Sequence, residues 1–86
     1  MSRIMTIKEL INRLEVLYDA TYEDAPGEAA NAVCEFLTSN GHQDIVEKYD
    51  NEFMYGSSIK ARRMLSEALD ELGYEDIIPL KLRIFY

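Results

Sequence analysis

Carboxylates give this sequence its chemical character. From residue 15 to residue 47 the chain has no lysine and no arginine, but it has eight acidic residues. A carboxylate surface without compensating cations repels nucleic acid and attracts basic protein surfaces. We call these residues the acidic run: Glu15, Asp19, Glu23, Asp24, Glu28, Glu35, Asp44 and Glu47.

Part of the acidic run should destabilise the helix in which it lies. Glu15, Asp19 and Glu23 follow one another at four-residue steps, where like charges on a helix destabilise it by about 0.2–0.5 kcal/mol per pair. Asp19 also falls at the predicted end of the first helix, which is the negative end of the helix dipole. Two explanations stay open. Either a distant lysine or arginine folds over these carboxylates, or their charge serves a partner.

Two tyrosines lie among these carboxylates and extend the predicted binding surface. Tyrosine is enriched at protein interfaces, because it buries a large area and keeps a polar end. We therefore predict a basic protein surface as the partner, with neither direct nucleic-acid nor membrane binding. The predicted partner-binding residues are Glu15, Tyr18, Asp19, Tyr22, Glu23, Asp24 and Glu28.

Catalysis and metal binding find little support in the other reactive side chains. His42 is the single histidine, and the sequence places no nucleophile beside it, as a hydrolase would require. A metal site with Asp44 and Glu47 would need a fourth ligand, and this spacing is not one that zinc sites use. Cys34 lies mid-helix, where a free cysteine is usually a small buried hydrophobe. We expect no enzyme, no cofactor and no metal.

The predicted fourth helix is basic in its first turns and acidic in its last turns, so both ends oppose the helix dipole. Its basic start after Gly56-Ser57-Ser58 could bind a phosphate, although the segment lacks the glycine spacing of a P-loop. We prefer pairing of these bases with the acidic run across the fold. The charged residues are Lys60, Arg62, Arg63, Glu67, Asp70 and Glu71.

Composition indicates one small acidic domain covering residues 1–86. The chain is 48% hydrophobic and carries a net charge of −7, which disfavours binding to nucleic acid and anionic membranes. A single cysteine excludes an internal disulfide and fits a reducing compartment. No signal peptide and no run of about 18 apolar residues is found. These features predict a cytoplasmic protein.

Helical periodicity and capping signals predict four helices. Thr6 and Glu9 form a capping box at the first helix, and a serine before Ile59 offers an N-cap to the fourth. Glycines end the second and fourth helices. The predicted helices run from Ile7 to about Asp19, from Asp24-Ala25-Pro26 to Gly41, from Asp44 to Tyr49 as a short third helix, and from Ile59 to Leu72 before Gly73.

An internal echo supports these helix ends. Leu37, Gly41, Asp44 and Ile45 recur 32 residues later as Leu69, Gly73, Asp76 and Ile77. The echo could mark a pair of helical repeats, but a solenoid needs about three. We prefer two Schellman endings, in which the residue after a left-handed glycine packs on a residue inside the helix end.

The period changes after Pro79, where Leu80, Leu82, Ile84 and Tyr86 alternate with other residues as in a strand. Its partner could be residues 2–6, the same strand of a second copy, or the edge of another protein's sheet. The predicted fold class is thus mainly α: a compact bundle of about four helices with a C-terminal β-strand, which could be paired with the N-terminal segment or with a second chain.

These features favour a non-enzymatic binding module or inhibitor that engages a basic partner through its acidic face. One version is a nucleic-acid mimic of the phage anti-defence type (anti-CRISPR or anti-restriction), in which carboxylates stand in for phosphates. Alternatives are a toxin immunity protein or antitoxin, and a small structural subunit that forms a homodimer or a larger assembly through the C-terminal strand.

Overall fold

The computed structural model describes residues 4–19, 25–74, 76–79 and 82. Its helices, in chain order, are α1 (Ile7–Asp19), α2 (Ala25–Ser39), α3 (Gln43–Tyr55) and α4 (Ser58–Glu71). Helix α1 packs on α2, α3 packs on α4, and α2 also contacts both α3 and α4.

The Cα radius of gyration is 12.2 Å, close to the ~12 Å expected of a compact domain of this length. The predicted mainly helical, compact fold is therefore confirmed. Within the described residues, no helix is long and apolar enough to span a membrane.

Helix α2 is central because its side chains are small on several sides. Ala29, Ala30 and Ala32 are buried together with Val33, so neighbouring helices can approach closely around most of its circumference. Its exposed residues recur at steps of three and four and form one narrow stripe along the helix. That stripe consists of Glu28, Asn31, Glu35 and Thr38.

The core is closed by large side chains from several elements. Phe36 of α2 is almost fully buried, and its ring meets that of Tyr74 edge to face with centroids 5.3 Å apart. Such a pair contributes about 0.5–1.5 kcal/mol beyond the area it buries. The other large buried side chains are Leu10, Leu14, Val33, Leu37, Leu65, Leu69, Ile78 and Leu82.

Side-chain caps hold the starts of α1 and α4, as predicted. The Glu9 N–H donates to Thr6 Oγ1 at 3.2 Å, and the Thr6 N–H donates back to Glu9 Oε1 at 3.4 Å. At α4, the Lys60 N–H donates to Ser57 Oγ at 3.3 Å. These bonds satisfy backbone donors that have no partner inside the helix.

The two predicted Schellman endings are confirmed by their hydrogen bonds. The His42 N–H donates to the Leu37 carbonyl at 2.8 Å and the Gly41 N–H to the Thr38 carbonyl at 3.2 Å. Tyr74 bonds to Leu69 at 3.0 Å and Gly73 to Asp70 at 3.1 Å in the same way. Both glycines have positive φ, +86° at Gly41 and +91° at Gly73. Shared capping chemistry thus accounts for the 32-residue echo.

The predicted end of the third helix at Tyr49 is wrong, since α3 continues to Tyr55. The polar segment 50–52 does not end the helix, because polar residues suit the exposed side of a helix. Tyr49 is buried, and the ring of Phe53, one turn later and partly exposed, lies with its centroid 5.8 Å from that of Tyr49. The helix ends only at Gly56, whose N–H donates to the Glu52 carbonyl at 2.9 Å.

The predicted C-terminal strand falls mostly outside the described residues, among which no strand occurs. Leu82 is described, and its N–H donates to the Pro79 carbonyl at 2.9 Å, as in a turn. Its side chain is fully buried. In the predicted partner segment 2–6, the Met5 N–H donates to Ser39 Oγ at 3.0 Å and the Met5 carbonyl accepts from Asn40 Nδ2 at 2.9 Å. Met5 is therefore bonded to the end of α2.

Candidate protein-binding surface

The described part of the predicted binding set lies on the surface. Glu15, Tyr18 and Asp19 are exposed in the second half of α1, and Glu28 is exposed in the first turn of α2. A carboxylate pair one turn apart and a tyrosine are thus exposed on the same half of the helix. The remaining members, Tyr22, Glu23 and Asp24, lie outside the described residues.

Helix geometry divides these residues into two groups. A groove between α1 and α2 is lined by Asn12, Arg13, Val16, Leu17, Glu28 and Asn31. At about 100° per residue, Tyr18 points roughly 170° away from the centre of the α1 residues in that lining, and Glu15 about 130° away. Glu28 therefore lies in the lining of the groove, whereas Glu15 and Tyr18 face away from it and Asp19, roughly 90° from the same centre, lies at the border of the two faces. We call Glu15, Tyr18 and Asp19 the α1 acidic surface.

One member of the acidic run is neutralised from within the fold. Arg13 Nη1 lies 2.7 Å from Glu35 Oε2, and both side chains are exposed. Such a pair contributes at most about 1 kcal/mol. Arg13 precedes the run by two residues, so the cation comes from the neighbouring helix rather than from the predicted fourth-helix bases. Lys60 instead lies 3.9 Å from Glu52, outside the run.

The thiol of Cys34 is held in its protonated form. Cys34 is half-buried against the core, and burial raises its pKa from 9.0 to about 11, with the Asp50 carboxylate adding to the shift. Burial also raises the pKa of Tyr49, with smaller effects from Cys34, Arg62 and Asp50. A nucleophilic or metal-binding cysteine needs the thiolate. The prediction that Cys34 lies in the core or at its edge is confirmed, and the structure places it at the edge.

His42 takes part in the helix end through its backbone. Its N–H closes the Schellman ending of α2, and its carbonyl accepts from the Ile45 N–H at 3.1 Å at the start of α3. The side chain is half-buried, whereas Asp44 and Glu47 are both exposed. Across the described ranges, no cluster of three or more histidine, cysteine or acidic residues could hold a metal ion.

A second surface was missed by sequence reasoning. At the turn between α3 and α4, Phe53 is 44% exposed, Met54 70%, Tyr55 84% and Ile59 72%. The signal was available: three large apolar residues directly precede Gly56, and another follows the serines. Because the third helix was predicted to end at Tyr49, these residues were not assigned to a helix and their exposure was not predicted.

Comparisons with known proteins found no matching family model, no similar curated protein and no similar solved structure. Function must therefore be inferred from the surfaces themselves. The α1 acidic surface can attract cations and basic side chains, since exposed carboxylates act through Coulomb forces over about 10 Å at 0.1 M salt. The α3–α4 turn can contribute apolar burial.

Proposed function

We propose that this chain is a non-enzymatic binding protein or inhibitor that engages a basic protein partner through the α1 acidic surface. The observation that carries the proposal is the joint exposure of Glu15, Tyr18 and Asp19 on one half of α1. Two carboxylates supply long-range attraction, and the tyrosine supplies contact area at low entropic cost.

The placement of these charges supports use by a partner. Helix α1 has no basic residue in its last turn, and Asp19 ends the helix, where a negative charge is unfavourable. No described lysine or arginine pairs with Glu15 or Asp19. The folded monomer thus carries a local electrostatic penalty of about 0.5–1 kcal/mol, which a cationic partner would relieve.

The preferred version of this function is nucleic-acid mimicry of the anti-defence type. Carboxylates held on a rigid helix can occupy phosphate positions in a basic groove and exclude the nucleic acid from it. The expected partner is then a protein or complex that binds DNA or RNA. Because the attraction is electrostatic, binding should weaken steeply between about 0.1 M and 1 M salt, as the Debye length falls from ~10 to ~3 Å.

A charge-reversal experiment tests this proposal. Tagged wild-type chain, a Glu15→Lys/Asp19→Lys variant and a matched Asp44→Lys/Glu47→Lys variant are incubated with host lysate at low and high salt. Each acid-to-lysine change adds two charges, so both variants shift from −7 to −3. We expect basic, nucleic-acid-handling proteins on the wild type and on the α3 variant at low salt, and their loss from the α1 variant.

Equal loss from both variants would show that overall charge, not this surface, determines capture, and would contradict the proposal. Capture that persists at high salt in the α1 variant would also contradict it. A captured nucleic-acid-binding protein should release labelled DNA or RNA when the purified wild-type chain is added. Absence of that competition would remove mimicry and leave plain protein binding.

The immunity or antitoxin alternative uses the same surface against one cationic toxin, and the identity of the captured protein separates the two. A structural subunit using the C-terminal strand is a third candidate. For that candidate Leu82 is informative, because its side chain is fully buried. This position therefore belongs to the core of its own chain. A chain shortened by residues 79–86 should therefore lose stability; a stable, folded truncation that loses only self-association would favour the third candidate.

A further inference from the structure

The outer face of α4 combines apolar side chains with charges of both signs. Ile59, Lys60, Arg63, Met64 and Glu67 line one shallow groove of about 420 Å³. Lys60, Arg63 and Glu67 are exposed, and so is Ile59. A charged stripe bordered by apolar side chains resembles the surface of a helix that packs on another helix.

The two signs are separated along the helix axis. Lys60 and Arg63 lie in the first half of α4, and Glu67 and Glu71 lie in the second half. Each half opposes the dipole of its own helix, and compensation within the monomer is slight. Lys60 Nζ is 3.9 Å from Glu52 Oε1, at the outer limit of an ion pair, and the Lys60 side chain is exposed whereas that of Glu52 is partly buried. A long contact to an exposed lysine contributes little.

This arrangement is complementary to itself when reversed. We propose that two copies of the chain associate through α4 in an antiparallel, two-fold arrangement. A two-fold axis near Met64 places Lys60 of one copy opposite Glu67 of the second copy, and the reverse contact forms by symmetry. The same reversal brings the two helix dipoles antiparallel and covers Met64. The two Arg63 side chains also come near each other at the axis, and the two Lys60–Glu67 contacts have to exceed that repulsion.

A second copy fits this face better than a partner of a single charge sign. A purely basic partner would be repelled by the Lys60–Arg63 half, and a purely acidic partner by the Glu67–Glu71 half. The face does not include Glu15, Tyr18 or Asp19, so this inference is independent of the proposed function. Loss of self-association and loss of partner binding can be observed separately.

Charge reversal with restoration tests the proposal by sedimentation equilibrium near physiological salt. The wild type should show reversible dimers. Lys60→Glu and Glu67→Lys each place two like-charge contacts in the dimer and should raise the dissociation constant roughly ten- to hundredfold. The double variant K60E/E67K rebuilds both contacts with the signs exchanged, keeps the net charge of −7, and should dimerise again.

Matched controls separate the contact from overall charge. Lys8→Glu changes the net charge as Lys60→Glu does, and Glu47→Lys as Glu67→Lys does; both residues are exposed on other helices. These controls should dimerise as the wild type does. A wild type that stays monomeric up to about 1 mM subunits, or single reversals no weaker than their controls, would overturn the proposal. So would a double variant that fails to recover.

Disulfide trapping tests the register directly. In a Cys34→Ala background, Met64→Cys lies beside the proposed axis and should form a covalent dimer on mild oxidation, because the two Cα atoms must lie within about 7 Å. Val16→Cys, exposed on α1, should not. Equal cross-linking at the two positions would indicate random collision and would contradict the antiparallel arrangement.

Discussion

The two helical hairpins of this fold share their construction but differ in burial. Both end in a Schellman motif at a glycine of positive φ. In the first hairpin, α1–α2, buried residues come from both helices. In the second hairpin, α3–α4, Tyr49 is the residue of α3 that is buried, whereas the end of α3 exposes aromatic side chains. Helix α2 is therefore the structural centre, and α3 is peripheral.

The hairpins also differ in how their exposed charges are arranged. The α1 acidic surface carries one sign, which suits a partner of the opposite sign. The outer face of α4 carries both signs in separate halves, which suits a reversed copy of the same helix. Charge pattern, rather than charge amount, thus distinguishes the surface proposed for a foreign partner from the surface proposed for self-association.

The largest predicted effect is on the free energy of unfolding. Removing a phenyl ring from the centre of the fold should lower it far more than removing one from the periphery. Phe36 is 1% exposed and Phe53 is 44% exposed. Phe36→Ala should lower the free energy of unfolding by about 3–5 kcal/mol, enough to unfold much of a small domain. Phe53→Ala should lower it by about 1 kcal/mol or less. Urea denaturation followed by circular dichroism measures both, and similar losses would break the contrast between centre and periphery.

Alkaline pH should loosen the junction of the two hairpins, where Cys34 of α2 lies near Tyr49 and Asp50 of α3. Burial, and secondarily Asp50, raises the pKa of Cys34 from 9.0 to about 11. The folded chain therefore keeps a proton that the unfolded chain releases, so the stabilisation is complete below about pH 9 and is lost as pH rises towards 11.

Denaturation at neutral pH and at about pH 10 measures this loss. The Cys34→Ala variant is the control, since it lacks the thiol that titrates, and it should lose less stability between the two pH values than the wild type. Equal losses would assign the alkaline effect to other groups, with Tyr49 as the first candidate because its pKa is raised as well.

Sequence reasoning succeeded where a local chemical rule decides the structure. Reciprocal bonding between Thr6 and Glu9, a serine cap on the fourth helix and the glycine endings all depend on residues within five positions of one another, and each was predicted. The structure assigns the cap to Ser57, with the helix beginning at Ser58. Sequence reasoning failed at the end of α3, because the predicted helix ended with its last buried residue, Tyr49, whereas the helix continues through mostly exposed residues to Tyr55. An apolar stripe marks the part of a helix that is buried and not its full length.

The candidate site shows the same limit. Exposure of Glu15, Tyr18 and Asp19 follows from the wheel of a single helix. The separation of Glu28 from them, and its place in the lining of the groove, depends on which flank of α1 meets α2. The pairing of Arg13 with Glu35 depends on the same unknown. Such cross-helix relations are tertiary information that periodicity does not contain.

Glycine substitutions should give a smaller effect and compare the two hairpin ends directly. Nothing would contact an added Cβ at Gly41 or Gly73, so Gly41→Ala and Gly73→Ala test the positive φ alone and should each lower stability by about 1 kcal/mol. Gly27→Ala, inside α2 and equally uncrowded, should raise it by about 0.5–1 kcal/mol. Thermal unfolding would detect these signs, and a neutral Gly73→Ala would show that the second ending is loosely held.

The smallest predicted effect tests whether carboxylates of both proposed surfaces destabilise the folded monomer. Asp19 is the last residue of α1 and lies four positions after Glu15. Glu71 is the last residue of α4 and lies four positions after Glu67. Asp19→Lys and Glu71→Lys replace a like-charge pair by a favourable Glu–Lys pair and put a cation at the negative helix end. Each should raise the free energy of unfolding by about 0.5–1 kcal/mol. Asp19→Lys should weaken partner capture, whereas Glu71→Lys should weaken self-association. Substitutions that stabilise the chain and reduce neither would mean that these carboxylates serve solubility alone.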